Sequence, residues 1–460
     1  MLRAALWALC LVACTGDSSD DTDPGTVPDR YAFEGRDGGS SVVHTGQTLR
    51  HVLIDDLADY VGGLTAQIDG GRVPQAGEVT ADCEFYLAFD ASVGGSVEHG
   101  VGADLPIVQA TYGEIGDANL WGKLAGNDEV GQHEDWSTAF VGFQAGSPQG
   151  LVESWLAELD ALAVARGNGE VGQTPDGAPI REVYVTADGR DLKQLLEKFL
   201  RAGVAFSQGT DDYLDDDLDG KGLLADHTAL EEGEPYTALE HQWDEGFGYF
   251  GASADFGQRA TADIAETPWH DTDGDGSIDL LTEVSFGHSG NAAKRDSGAV
   301  SPTTFSDDAF SAFVAGRALL ADTDGALDED QLATLRGHRD EAVAAWEKAL
   351  AATAVHYVNE VLVDQGHIGT PDYDFHDHAK HWSELKGFAL AFQFNPRSPM
   401  SDADFAQLHQ LIGTAPVLSD ASEAERTQRM DDLRAARDIL GQTYDFEAAN
   451  LGGDDGTGGW

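Results

Sequence analysis

Between Asp328 and Gly366 the chain carries its most restrictive pattern, a stripe of Val343, Trp346, Leu350, Ala354, Tyr357 and Val361 at helical spacing. Asp328 opens it as a helix cap, Gln331 stands where it can reach back to complete a capping box, and Gly366 stops it. The predicted helix is longer than most globular ones. Residues 47–61 repeat the periodicity with Leu49, Val52, Leu53, Leu57 and Tyr60, and residues 192–206 with Leu195, Leu196, Phe199, Leu200 and Val204. Further helices are predicted over 151–164, 238–252, 307–320, 377–394, 402–411 and 422–440. Only 84–89 and 181–186 alternate or cluster like strands, and the glycine-rich stretch 94–150 supports no element. The fold class is therefore mainly α: a helical bundle domain with few short strands. An echo between His241-x-x-Asp244 with Gly246 and Phe247, and His381-x-x-Glu384 with Gly387 and Phe388, suggests a duplicated bundle.

The two ends of the chain read differently from its body. One early Arg3, the apolar run 4–11 and the ending Leu11, Val12, Ala13, Cys14 resemble a bacterial lipobox, so residues 1–13 are expected to be a signal peptide and Cys14 the lipidated N-terminus. A secretory signal without a lipid is the alternative. Residues 14–30 are mostly Ser, Thr, Asp, Gly and Pro, an acidic tether that cannot bury enough surface to order itself. Nothing later approaches the roughly 18 apolar residues of a spanning helix, so the lipid is the expected membrane attachment and the bacterial cell envelope, at the outer membrane, the expected location. Residues 31–445 form the helical domain, and 446–460 read as a disordered tail. Once the signal peptide takes Cys10 with it and Cys14 carries lipid, Cys83 stands alone, which excludes an intrachain disulfide framework.

The formal charge is −55, from 82 acidic and 27 basic residues. That argues against nucleic acid and anionic lipid headgroups as partners, while leaving room for an envelope protein partner. Such an excess repels itself, and divalent cations relieve it.

Three constellations could carry chemistry. Glu240, His241, Asp244 and Glu245 share a predicted helix on which Leu239, Trp243, Phe247 and Phe250 form the apolar face. A His with carboxylates three and four residues on can converge on one cation, as metal sites in helix bundles do; a solvated polar face is the alternative. His381, on a stripe with Leu385, Phe388 and Phe392 and with Glu384 at its edge, is expected to be partly buried and offers a second ligand, or else a core histidine satisfied by Glu384. His356 and Glu360 could complete the set. The sharpest motif is Asp271-Thr-Asp273-Gly-Asp275-Gly276-Ser-Ile-Asp279, with oxygen ligands at calcium-loop positions one, three, five and nine and glycine at the sharp turn. Position twelve is Thr282 and Glu283 comes one residue late, so bidentate closure departs from the usual pattern; an acidic turn is the alternative. A second run, Asp215, Asp217, Asp219, Gly220 to Asp226, reads by default as an acidic loop.

The chain holds no P-loop, no CxxC pair, no GxSxG elbow and no HExxH. Gly46-Gln-Thr-Leu-Arg, Phe206-Ser-Gln-Gly-Thr-Asp-Asp-Tyr-Leu, Glu240-His-Gln-Trp-Asp-Glu-Gly-Phe-Gly-Tyr-Phe, Ile278-Asp-Leu and His381-Trp-Ser-Glu-Leu-Lys-Gly-Phe together resemble a bacterial lipoprotein family known only as a domain of unknown function, over roughly 31–445. More distantly, the chain is similar to imelysin-like proteins, which pack two four-helix bundles and are associated with iron uptake or claimed peptidase activity. Their motif is Gly-x-His-x-x-Glu; here Leu239 and Asp244 replace its first and last residues. The resulting expectation is a lipid-anchored metal-binding protein acting in iron or other metal acquisition, with iron or another first-row metal at the His/carboxylate site and calcium at Asp271, Asp273, Asp275, Asp279 and Glu283. A metal-dependent hydrolase with Glu240 or Glu245 as base, or a structural calcium-stabilised module without catalysis, are the alternatives.

Overall fold

The computed structural model describes residues 28–35, 38–128, 132–144 and 146–460; the expected signal peptide, Cys14 and most of the tether lie outside the described residues. Eleven helices of nine residues or more build the body: α1 Thr45–Asp69, α2 Glu78–Leu87, α3 Pro148–Gly167, α4 Leu192–Leu200, α5 Ala238–Phe250, α6 Gly287–Gly298, α7 Phe305–Ala321, α8 Glu329–His367, α9 Phe375–Ala389, α10 Asp402–Ile412 and α11 Glu423–Thr443. Among the described residues there is no sheet, only isolated bridges. The mainly α class therefore holds.

Helix α8 is the axis of the molecule. It begins with the capping box expected of it, Gln331 N–H donating to Asp328 (2.8 Å) and Asp328 N–H to Gln331 (2.9 Å). Helices α6, α7, α9 and α11 all pack on it. They can approach closely because Ala342, Ala349, Ala351, Ala352 and Ala354 are buried beside Trp346, Leu350, Val358 and Leu362. At its centre the Trp346 indole meets Phe206 and Phe250 edge-on at 5.2 and 5.4 Å. Each fully buried Leu or Phe of this kind contributes about 1.5–3 kcal/mol of transfer free energy. On the other side α1 packs on α3, α4 and α5, α2 packs on α3, and α4 reaches across to α9. One cluster of buried side chains runs from Tyr31 to Trp460 without a break.

Three expectations need correction. Residues 84–87 end α2 instead of forming a strand, because Val79, Cys83 and Leu87 recur at helical spacing and all three are fully buried. Residues 181–186 are turns with a single bridge, Val185 to Asp191. The tail expected to be disordered is packed. The Trp460 ring lies 4.7 Å from Phe446, its Nε1 donates to the Arg295 carbonyl (3.1 Å), and the short helix Ala448–Leu451 brings buried Asn450 onto both backbone groups of Ser301. One large aromatic at the very end supplies the apolar surface that the Gly- and Asp-rich run lacks.

The segment after α4 departs from α-geometry. Arg201–Phe206 and Gly209–Tyr213 are π-helical turns, which widen the helix and turn Ser207, Gln208, Thr210, Asp211 and Asp212 into the interior.

Candidate metal centre

Helix α5 starts at a capping box in which Thr237 and Glu240 exchange hydrogen bonds (2.8 and 3.2 Å). Its apolar face is the expected one: Leu239, Trp243, Phe247 and Phe250 are buried, with Phe247 stacked on Tyr31 at 3.6 Å. Its polar face is not wet, since Asp244 is completely buried. The partner is Arg317 of α7, also completely buried, whose Nε donates to Asp244 (2.9 Å), Nη1 to Glu240 (2.8 Å) and Nη2 to Ser41 (2.8 Å). The Tyr31 hydroxyl adds a further bond to Asp244 (2.7 Å). Burial pushes the Asp244 carboxyl up, against the pull of Arg317 and Tyr31, to about 6.

His241 lies apart from this network. Its ring stacks on Tyr236 at 4.5 Å, its Nε2 stands 3.7 Å from Glu245, and Glu245 accepts from Gln47 Nε2 (2.9 Å). Glu240, His241, Asp244 and Glu245 thus do not converge on one point, because a guanidinium occupies the place the sequence suggested for a cation.

The proposed second half of that site does not join it either. His381 is held by Asp364 of α8 (2.8 Å), with Tyr357 6.3 Å from its ring. Burial works against the imidazolium, but Asp364 outweighs it, so the pKa is raised. Glu384, expected as the partner of His381, instead faces Lys198 at 4.0 Å and interacts with the Tyr357 hydroxyl. His356 is turned to Tyr357, ring to ring at 4.9 Å. No His and carboxylate atoms from these helices form a ligand group among the described residues.

The loop between Trp269 and Val284 behaves differently. Asp271, Asp273 and Asp275 bring carboxylate oxygens within 4.8 Å of one another, the one such group of three or more among the described residues. The backbone makes this possible. Gly274 and Gly276 adopt φ of +73° and +86°, a region L side chains avoid, and their N–H groups donate back to Asp271 (2.8 and 3.0 Å). Asp273 accepts from the Asp275 N–H (3.0 Å), and Asp275 from the Ser277 N–H (2.7 Å) and hydroxyl (2.6 Å); these last two lower the Asp275 pKa. Ile278 docks the loop through a parallel bridge to Ile107.

Asp279 and Glu283, the other two expected ligands, play supporting parts. Asp279 accepts from Gln109 Nε2 (2.8 Å). Buried Glu283 accepts from the Thr272 N–H (2.7 Å) and the Asp279 N–H (2.9 Å), tying the two sides of the loop together from below. The second acidic run is an ion-paired loop: Asp215 meets Arg397, and Asp216 meets Arg336 and Arg339.

Sequence reasoning missed Arg317. The available signal was a lone arginine in the otherwise apolar run Ala312-Phe-Val-Ala-Gly-Arg317-Ala-Leu-Leu320, which demands a buried carboxylate. Against known proteins, residues 150–406, more than half of the chain, match the model of a family described as a domain of unknown function (DUF4856). No curated protein and no solved structure matches the chain.

Proposed function

The chain belongs to this family of unknown function, and from that footing we propose that it is a lipid-tethered, calcium-stabilised helical module of the bacterial cell envelope, without a catalytic role. The observation that carries the proposal is the convergence of Asp271, Asp273 and Asp275 in a loop whose glycines and backbone N–H groups hold them in calcium-loop order. Hard carboxylate oxygens favour a hard cation over iron or another first-row metal. Asp279 and Glu283, both already accepting backbone N–H groups, brace the loop. A first-row metal at Glu240, His241, Asp244, Glu245, His381 and Glu384, and the metal acquisition or hydrolase chemistry that would follow from a likeness to imelysin-like proteins, has less support: Arg317 already pairs with Glu240 and with Asp244 Oδ1.

The anchor belongs to the same proposal. Cys14 follows Leu11, Val12 and Ala13, and a diacylated cysteine would leave the acidic body held off an anionic membrane by charge repulsion.

Thermal melting with and without calcium tests the ion site, since binding to the native state raises the midpoint. The midpoint is expected to rise at millimolar calcium and to lose that response in an Asp271→Asn, Asp273→Asn double variant. A wild-type protein indifferent to calcium overturns the reading. For the anchor, metabolic labelling with a fatty-acid analogue should mark the wild type and not Cys14→Ala; an unlabelled wild type removes the lipid.

A further inference from the structure

A cavity of about 570 Å³ opens between α8, the connection that follows Phe394, and the end of α11. That volume suits a small organic ligand. Its chemistry runs against the rest of the molecule. Roughly one residue in seventeen of the chain is Lys or Arg, yet three of the side chains lining this cavity are Arg339, Lys348 and Arg397.

The cations are unevenly spent. Arg339 gives Nη1 to the Leu214 carbonyl (2.9 Å) and to Asp216 (3.1 Å), and Nε to Asp340 (2.6 Å). Arg397 gives Nη1 to Asp215 (2.5 Å) and Nη2 to the Thr210 carbonyl, while its buried Nε has no partner. Lys348 makes no hydrogen bond or ion pair among the described residues. The one buried carboxylate in the wall, Glu347, is turned onto donors of its own: the Ser398 hydroxyl (2.5 Å), the Tyr444 hydroxyl (2.7 Å) and the Asn395 amide.

Asp445, directly after Tyr444, is the one non-glycine residue with positive φ (+55°) among the described residues; it ends α11 in the left-handed conformation common after a helix, with the Phe446 N–H donating to the Gly441 carbonyl (3.0 Å). It lines the cavity, exposed, as does Asp340. Two carboxylates there repel a multiply charged anion, whereas exposed Ala344 and Pro399 offer an apolar surface.

We propose that this cavity binds a small organic monocarboxylate, its carboxylate taken by Lys348 and Arg397 and its apolar body laid against Ala344 and Pro399. A guanidinium N–H and an ammonium suit the geometry of a carboxylate. The site is separate from the acidic loop and does not depend on calcium.

Benzoate serves as the probe, with inorganic phosphate and benzylammonium beside it, in titration calorimetry and saturation-transfer NMR on the whole mature chain, with and without calcium. Benzoate is expected to bind in both conditions and the other two not. Lys348→Glu is expected to weaken benzoate by about tenfold or more, the loss of one charge-assisted contact, and Lys348→Arg to keep it. Because Lys348 makes no hydrogen bond or ion pair in the fold, the uncharged variant Lys348→Met, which should weaken benzoate likewise, is expected to keep the wild-type urea midpoint, which separates lost binding from lost structure. Absence of benzoate binding at millimolar concentration, equal binding by Lys348→Glu, or preference for phosphate or benzylammonium overturns the proposal.

Discussion

The arginine at position 317 decides what the most charged face of α5 can do. Its guanidinium is completely buried and spans two carboxylates and a serine hydroxyl. A buried pair contributes little over an apolar replacement of both partners, but removing one partner leaves an uncompensated charge and costs about 3–5 kcal/mol. Arg317→Met is therefore expected to lower unfolding stability by that amount in urea titrations. Asp244→Asn in the same background should recover part of it, because the amide still accepts from Tyr31 and carries no charge. A single Arg317→Met change within about 0.5 kcal/mol of wild type would show that Asp244 is already neutral in the fold. The apolar run around Arg317 announces a buried charge but not which carboxylate meets it. Asp244 and Arg317 stand 73 residues apart, and one sequence displays the charge without its partner. The Asp271, Asp273 and Asp275 group could be read because its geometry is encoded in contiguous residues, with the glycines that permit it lying between them.

Helices were legible to the degree that they bury one apolar face. The pattern placed α1, α3, α5, α7, α8, α10 and α11 to within a few residues, although α1 runs on to Asp69. It could not place α6, whose buried residues are His288, Ser289, Ala292 and Ala293, too small or too polar to make a stripe. At the end of α2 the aromatic cluster Phe85, Tyr86 and, just beyond the helix, Phe89 imitates a strand, and helical packing of Val79, Cys83 and Leu87 overrides that propensity. The contact between α5 and α7 turns on another feature invisible to periodicity. Gly316 faces the Trp243 indole so closely that an added Cβ would overlap the ring, and the indole is pinned by its Nε1 bond to the Phe313 carbonyl (2.9 Å). Gly316→Ala would gain about 1 kcal/mol of helix propensity, yet overpacking a rigid core costs about 1–3 kcal/mol or more. Net destabilisation of about 1–2 kcal/mol is expected in urea unfolding followed by tryptophan fluorescence; a stabilised variant would mean that the two helices can slide apart.

Across the whole molecule, 27 basic side chains cannot neutralise 82 acidic ones, and many of the basic groups are tied up in local pairs such as Arg336 with Asp216 and Arg190 with Glu158. The remaining carboxylates repel one another over distances that salt controls, since the screening length falls from about 10 Å at 0.1 M to about 3 Å at 1 M. Sodium chloride should therefore raise the melting midpoint over that range. Calcium should raise it by a different route: at millimolar concentration it barely changes ionic strength, so its effect reports occupancy of the Asp271 loop rather than screening. The two responses are separable in one variant. Asp271→Asn with Asp273→Asn removes two of the excess negative charges and the ion site together, so it should keep its response to sodium chloride while losing its response to calcium. If calcium and sodium chloride shift wild type and variant alike, the cation acts as a diffuse counter-ion; if sodium chloride shifts neither, the charge excess is already balanced within the fold and self-repulsion is not what limits its stability.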